Sequence, residues 1–372
     1  MPNLPPHRTW WTRFPLKTPH RWLNLLLLFV PVTIILDLLH VSPLLIFVAS
    51  ALAIVPLASV LGESTGNLAS YCGPAIGGIL SATMGNFTEM IIAFFALRAG
   101  HINVVKASLS GSIIGNLLLV LGLSLVAGGL RNPVQRFSRT TSSMNTTTLM
   151  IAVAALVMPA VFNLTLFGTL QHDDLKLQNL SIWTSGVLIA LYLLNMFYVF
   201  RTHRSSFSAP HPEEEDAPMP SRSQTIITLA LATVLIGGMS EILVDQITPV
   251  THALGMTELF VGVIVVALVG NAAENSTAII MARRNRMDVS MSIATGASTQ
   301  IALFVAPVLV FLSVAVGHPM TLVFNGFEIA AIVLSVLIVE MISSDGETNW
   351  FEGAQLLAVY AIVAVAFYFV PE

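Results

Sequence analysis

Charge is what this chain has least of. Only 10% of its 372 residues are Asp, Glu, Lys or Arg, where about a quarter is usual in soluble domains. Hydrophobic residues make up 55%, and the mean hydropathy is +0.82. This balance excludes a soluble enzyme and a disordered chain. Basic residues are outnumbered, 16 Lys and Arg against 20 Asp and Glu, so there is no cationic footprint for DNA or RNA. The single cysteine, Cys72, excludes a disulfide framework and any zinc or iron–sulfur site built from several cysteines. What remains is an all-α polytopic membrane protein that crosses the bilayer many times.

Apolar runs of roughly 20 residues, enough to span the hydrocarbon core, recur at 22–40, 43–61, 75–98, 104–129, 144–164, 180–201, 224–247, 257–282, 288–316, 321–343 and 350–369. The expectation is eleven transmembrane helices. The first run follows Arg8, Arg13, Lys17 and Arg21. It is longer than a signal-peptide core and no small-residue cleavage site follows it, so it reads as a retained helix. Asp37 and His40 close it at the far interface.

Basic residues orient the bundle. With the N-terminus in the cytoplasm, cytoplasmic segments hold Arg8, Arg13, Lys17, Arg21, Arg131, Arg136, Arg139, Arg201, Arg204, Arg222, Arg283, Arg284 and Arg286. The far side holds Arg98, Lys106 and Lys176. This asymmetry obeys the positive-inside rule, and one span more or fewer in the middle would spoil it. The longest polar stretch, about 201–223, carries four prolines around the acidic run Glu213-Glu214-Glu215-Asp216 and reads as a solvated linker.

The chain repeats itself. Gly85-Asn86-Phe87-Thr88-Glu89 lies within the third span and Gly270-Asn271-Ala272-Ala273-Glu274 within the eighth, 185 residues later. In the same register Ala93 matches Ala278, Arg98 matches Arg283 and Gly111 matches Gly296. The expected organisation is an N-terminal tail and extra helix (1–41), a five-helix repeat (42–201), the linker (202–223) and a second five-helix repeat (224–372). Five is odd, so the second repeat enters the membrane inverted. Inverted repeats typify secondary transporters, whose sites lie at the midplane where the repeats meet.

Glu89 and Glu274 are each alone in an apolar helix. A charge at mid-bilayer costs roughly 2.5–3.5 kcal/mol at the least, and neither helix offers a Lys or Arg within reach. Two converging carboxylates then call for a cation or protons. Asn86 and Asn271 stand three residues before the acids, on the same helix face. Gly85 and Gly270 allow close backbone approach or a helix break that exposes carbonyls. Carboxylates, amide oxygens and carbonyls make an all-oxygen site, the ligand set of a hard cation such as Ca²⁺. Without sulfur or imidazole, Zn²⁺ and Cu⁺ are disfavoured. An empty apolar site disfavours two adjacent anions, so protons compete with Ca²⁺ for the same oxygens.

Ser108, Ser110, Gly111, Ser112, Gly115 and Asn116 form a small polar stripe in the fourth span, and Ser292, Gly296, Ser298, Thr299 and Gln300 do so in the ninth. Most of these read as helix packing. The amides Asn116 and Gln300 are costly in lipid and are candidate pathway residues, with Ser112 and Ser298 beside them. Glu63, Glu328 and Glu340 lie near span ends, where a solvated interfacial acid is as natural as a pathway role. Glu241 and Asp245, one turn apart, are the better pathway candidates.

At these motifs the chain resembles the Ca²⁺/H⁺ exchangers of the CAX family, within the Ca²⁺:cation antiporter superfamily. The stretch Gly77–Glu89 is similar to the first α-repeat, and Val269–Glu274 with Ser298–Leu303 to the second. Ser344-Asp345-Gly346-Glu347-Thr348-Asn349-Trp350-Phe351-Glu352-Gly353 resembles the last-loop signature. The resemblance covers about 40–371. It implies that Glu89 and Glu274 carry the exchanged ion, that Asn86, Asn271 and the backbone at Met84 and Gly85 line the site, and that Gln300 supports it. Where the family usually has an acidic pair near the end of the second helix, this chain has Ser64-Thr65-Gly66-Asn67, with Glu63 beside it. Asn275 replaces a usual His, and Ala267 a common Pro.

The expected function is export of cytosolic Ca²⁺ in exchange for H⁺ by alternating access, with Na⁺/Ca²⁺ or broader divalent exchange including Mn²⁺ as the alternative. A channel is the rival outside carriers. No His-Glu-x-x-His or Gly-Asp pair marks an intramembrane enzyme, and no cofactor is expected beyond the transported ions. Expected partners are Ca²⁺, H⁺ and the bilayer, with no nucleic acid; a homo-oligomer is left open. The short N-terminal tail suggests a prokaryotic plasma membrane, with a vacuolar membrane as the alternative.

Overall fold

A computed structural model describes residues 21–168, 175–202 and 220–370. Arg8, Arg13, Lys17 and the acidic run 213–216 lie outside the described residues. The chain is almost entirely helical. The extra N-terminal segment is α1 (Arg21–Leu26) and α2 (Phe29–Leu38). Then come α3 (Pro43–Tyr71), α4 (Gly73–Met84), α5 (Phe87–Arg98) and α6 (Ile102–Ile114). A π-helical stretch, Gly115–Val120, joins α6 to α7 (Leu121–Gly129). A two-residue strand β1 (Gln135–Arg136), α8 (Arg139–Phe167) and α9 (Leu175–Thr202) complete the first half.

The second half opens with α10 (Arg222–Asp245) and α11 (Ile247–Leu254). The short turn α12 (Glu258–Phe260) runs through a π-helical stretch, Val261–Val266, into α13 (Ala267–Gly270), which is followed by α14 (Ala272–Arg283). Next come α15 (Met287–Gln300), a third π stretch, Ile301–Val305, and α16 (Ala306–Val316). The chain closes with α17 (Gly326–Ser343), strand β2 (Glu347–Thr348) and α18 (Trp350–Phe369).

The sequence repeat is therefore a structural repeat. α14 begins and ends 185 residues after α5, and α15 begins 185 residues after α6. Each half places a π stretch, in which one extra residue fits in the turn, midway along its next long span. The break residues match in conformation: Asn86 has φ −95°, ψ 25° and Asn271 has φ −90°, ψ 3°.

The helix count differs from eleven at the third span, broken at Asn86, and at the first. Among the described residues eight helices are long and apolar enough to cross a membrane, and the pair Glu258–Gly270 and Ala272–Arg283, bent by 64°, makes a ninth. The expected third span is two 12-residue helices separated at Gly85-Asn86. Each is about 18 Å long, too short to cross about 30 Å of hydrocarbon alone. Of the expected first span, the longest continuous piece is the ten-residue α2.

Packing brings the halves together. α3 lies along α10, α7 lies against α14 and α18, and α6 lies against the Val261–Val266 stretch. The last contact explains two glycines, Gly111 of the first small-residue stripe and Gly262 opposite it. A Cβ on Gly111 would overlap the backbone of Val263, and one on Gly262 would lie 2.5 Å from the Cβ of Ala107. The backbones meet where side chains are absent, as is usual between membrane helices.

Candidate ion site

Two broken helices build the site. Glu89 lies in the first turn of α5 and Glu274 in the first turn of α14. Both helices start at an asparagine at a break, so their N-terminal amides and positive dipole ends face the carboxylates. α4, ending at Met84, directs its C-terminal carbonyls toward the same region. Broken helices of this kind are tolerated at membrane depth only where protein or a polar cavity surrounds them.

The two acids meet across the repeats in a reciprocal way. A Cβ on Gly85 would lie 2.9 Å from Oε1 of Glu274, and a Cβ on Gly270 would lie 2.9 Å from Cγ of Glu89. Each acid thus packs on the glycine that opens the other's motif. Such a pattern, in which i meets j and the equivalent j meets i, is the mark of a two-fold relation.

The asparagines are held differently. Asn86 Nδ2 donates to Gln300 Oε1 at 2.6 Å, while its Oδ1 is buried with no hydrogen-bond partner. Asn271 Nδ2 donates to Ser112 Oγ at 2.8 Å and to the Ala267 carbonyl at 3.0 Å. Asn116 Nδ2 points at Asn271 Oδ1 from 3.5 Å, a long contact. The repeat equivalent of Gln300 is Gly115, so no second glutamine is available and Ser112 and Asn116 take its place.

At the two motifs four buried oxygens have no hydrogen-bond partner among the described residues: Asn86 Oδ1, both oxygens of Glu89, and Glu274 Oε2. Glu89 is only 8% exposed, and neither acid belongs to an ion pair among the described residues. An unmet buried polar atom costs about 1–3 kcal/mol, and more when charged. Four acceptors converging without a donor are chemically fitted to a bound cation or to protons. A small cavity lined by Glu89, Ser108, Ser112, Val266 and Ala267 adjoins them. A second, lined by Ser112, Asn116, Asn271, Asn275 and Tyr360, lies beside it.

The remaining sequence candidates lie apart. Ser298 is buried, but its hydroxyl donates to the Ala294 carbonyl one turn back in its own helix, at 2.9 Å. Glu241 forms an exposed ion pair with Arg98 at 3.1 Å. Asp245 ends α10 one turn later and is exposed, and Glu63 is exposed on α3.

Glu328 departs from the expected solvated end. It is buried, accepting from Ser110 Oγ at 2.7 Å and from the Asn325 amide at 2.9 Å. Together with the Glu328 amide bonded to Asn325 Oδ1, this is a capping box that starts α17. The Asn-x-x-Glu spacing is a recognisable helix start; the sequence reading missed it by placing that span's start at 321. Gln135 was also missed; it is buried in the two-residue strand β1, too short to carry a periodic signal.

The chain matches the sodium/calcium exchanger protein family over residues 42–201 and 224–369. It is 42% identical to a Ca(2+)/H(+) antiporter of Synechocystis sp., covering 96% of this chain and 99% of that one. It is 36% identical to a vacuolar calcium ion transporter of Schizosaccharomyces pombe, covering 94% of this chain and 85% of that one. The solved structure of native YfkE superposes with a TM-score of 0.81 at 39% identity, covering 94% of this chain and all of that one.

Proposed function

We propose that this chain, which belongs to the sodium/calcium exchanger family, is a secondary antiporter that exports cytosolic Ca²⁺ in exchange for H⁺ by alternating access. The observation that carries the reading is the set of four buried, donorless oxygens on Asn86, Glu89 and Glu274. Relatives named for Ca²⁺ and H⁺ over nearly the whole chain support the same ions. They do not favour the alternative of Na⁺-driven or broader divalent exchange.

The proposed chemistry follows from charge. Ca²⁺ takes six to eight oxygens. Glu89 and Glu274 supply its counter-charge, and the Asn86 amide oxygen and backbone carbonyls at Met84 and Gly85 complete the shell. Gln300 orients Asn86, while Ser112 and Asn116 orient Asn271. When Ca²⁺ leaves, two protons neutralise the carboxylates. Both loaded states carry no net charge across the apolar barrier. The empty, doubly anionic site is costly to desolvate, so it does not cross, and transport in one direction requires transport in the other.

Glu241, Asp245 and Glu63 are proposed as groups at the pathway mouths rather than ligands, and Ser298 as helix support behind Gln300. The repeat boundaries 42–201 and 224–372, the linker 202–223 and a cytoplasmic N-terminus belong to the same proposal. So does location in a prokaryotic plasma membrane, with a vacuolar membrane as the alternative.

The test is ⁴⁵Ca²⁺ uptake into proteoliposomes under an imposed pH or Na⁺ gradient. Uptake driven by the pH gradient, with matching proton efflux, is expected; Glu89→Gln and Glu274→Gln each abolish it. Full Ca²⁺-dependent proton flux in either variant would overturn the proposal. The orientation is checked with Cys72, which a membrane-impermeant maleimide is expected to label only from the cytoplasmic side.

A further inference from the structure

The last-loop motif Ser344–Gly353 does not enter the cluster around Glu89 and Glu274. It builds a clamp. Thr348 pairs with Gln135 and Glu347 with Arg136 in an antiparallel bridge, extended by the Phe137 amide donating to the Gly346 carbonyl at 3.1 Å. Strand alternation sends Arg136 and Glu347 outward, ion-paired at 3.0 Å. Gln135 and Thr348 point inward, 1% and 2% exposed. Thr348 Oγ1 donates to Glu352 Oε2 at 2.7 Å, and Asn349 caps α18. Behind the bridge α7 and α18 touch through glycines. A Cβ on Gly353 would lie 2.7 Å from the Gly122 carbonyl oxygen, and one on Gly129 would lie 2.6 Å from the Trp350 amide. A Cβ on Gly128 would overlap the Gln135 side chain, so that side chain sits in a slot only glycine leaves open.

From this slot Gln135 Nε2 donates to the Ala282 carbonyl at 3.0 Å. Ala282 is the next-to-last residue of α14. Its carbonyl also accepts from the Asn285 amide at 3.0 Å, so Gln135 takes the second lone pair. Glu274 lies eight residues earlier on the same helix, about 12 Å away. The near end of α14 is a break bent by 64°, so it does not continue a straight rod. α7, α15 and α3 pack along the sides of α14, and the Gln135 bond adds a directional polar tie at its far end.

We infer that Gln135 is a positioning residue for Glu274, holding α14 in register through the Ala282 carbonyl while the last-loop motif holds Gln135. This rests on the proposed role of Glu274 as an ion ligand.

The test uses three variants of the full chain. Gln135→Met keeps length and volume but loses the donor. Gln135→Glu keeps the shape and sets a carboxylate against the carbonyl. Gln135→Lys restores a donor and suits a helix C-terminus. Equilibrium ⁴⁵Ca²⁺ binding in detergent is measured with the pH profile of transport. Met is expected to weaken Ca²⁺ binding at least about 3-fold and to shift the pH profile at unchanged melting temperature, Glu to do the same with a lowered melting temperature, and Lys to restore binding and profile. Wild-type affinity and pH profile in the Met variant, or a Lys variant as impaired as Met, overturns the inference. Should the Met variant not fold, Thr348→Val is expected to weaken binding in the same direction; unchanged binding there counts against the inference. Loss of proton coupling in the wild type would sink the antiport reading yet leave the binding comparison intact, so the two failures are distinct.

Discussion

Oε1 of Glu274 lies 2.9 Å from where a Cβ on Gly85 would sit, and Cγ of Glu89 lies equally close to where one on Gly270 would sit. Each half of the molecule therefore leaves a side-chain-sized gap for the other half's acid. Gly85 has φ −54° and ψ −51°, a conformation any residue adopts, so its lack of a side chain matters for space rather than backbone freedom.

Gly85→Ala is accordingly expected to displace the Glu274 carboxylate without breaking the fold. Ca²⁺ transport should fall at least about 10-fold, in line with disturbed support of a metal ligand, while melting temperature stays near wild type. Gly270→Ala should do the same through Glu89. Uptake assays paired with thermal unfolding in detergent check both.

In the proposed mechanism protons and Ca²⁺ compete for one set of oxygens. Lowering the pH on the side where Ca²⁺ binds fills the carboxylates with protons and should raise the apparent KM for Ca²⁺. Raising the pH should lower it until both acids are ionised. In Glu89→Gln one titrating group is gone, so residual ⁴⁵Ca²⁺ binding should be weak and its pH dependence shallower. Equilibrium binding across a pH series measures both slopes.

Gln300 holds Nδ2 of Asn86 at 2.6 Å, while Oδ1 of Asn86 is buried without a hydrogen-bond partner. Gln300→Ala should free the amide to rotate and raise KM for Ca²⁺ roughly 10-fold, as removal of an outer partner of a metal ligand commonly does. Asn116→Ala should have a smaller effect, because its contact to Asn271 is 3.5 Å and Ser112 remains. Steady-state uptake kinetics separate the two.

Glu328 is expected to matter for stability rather than transport. Glu328→Ala removes a capping box and leaves the Ser110 hydroxyl only the Ala107 carbonyl of its own helix, at 3.0 Å, at a cost of about 1–2 kcal/mol. The melting temperature should drop, while turnover per folded molecule stays close to wild type.

Glu241 and Asp245 stand exposed at the end of α10. If they collect cations at a pathway mouth, Glu241→Gln with Asp245→Asn should slow uptake a few-fold at low ionic strength. The difference should vanish at high salt, where screening acts within a few ångströms. Initial rates over a salt series check this.

Much of the molecule was legible before any coordinates. Scarcity of charge and recurring apolar runs dictate a membrane bundle, because hydrocarbon admits backbone only as helices or closed barrels. The 185-residue register dictates a repeat, since two equal stretches fold alike. A lone acid in each apolar helix singles out Glu89 and Glu274, because such a group persists only when something neutralises it.

Tertiary structure decided what spacing along one helix cannot express. That Gly85 faces Glu274, that Gln300 serves Asn86, and that Asn86 keeps a free oxygen while Asn271 does not, all depend on contacts between residues more than 150 positions apart. The breaks at Asn86 and Asn271 also belong here: glycine and asparagine permit a bend, but only packing against the opposite half makes the bend more stable than a continuous helix. The capping box of Glu328 is written in the local Asn-x-x-Glu spacing, but its burial against Ser110 and the reach of Gln135 to Ala282 were hidden for the same reason. Whether a polar side chain near a span end meets water or a partner is fixed by the neighbouring helix, and local sequence carries no record of that neighbour.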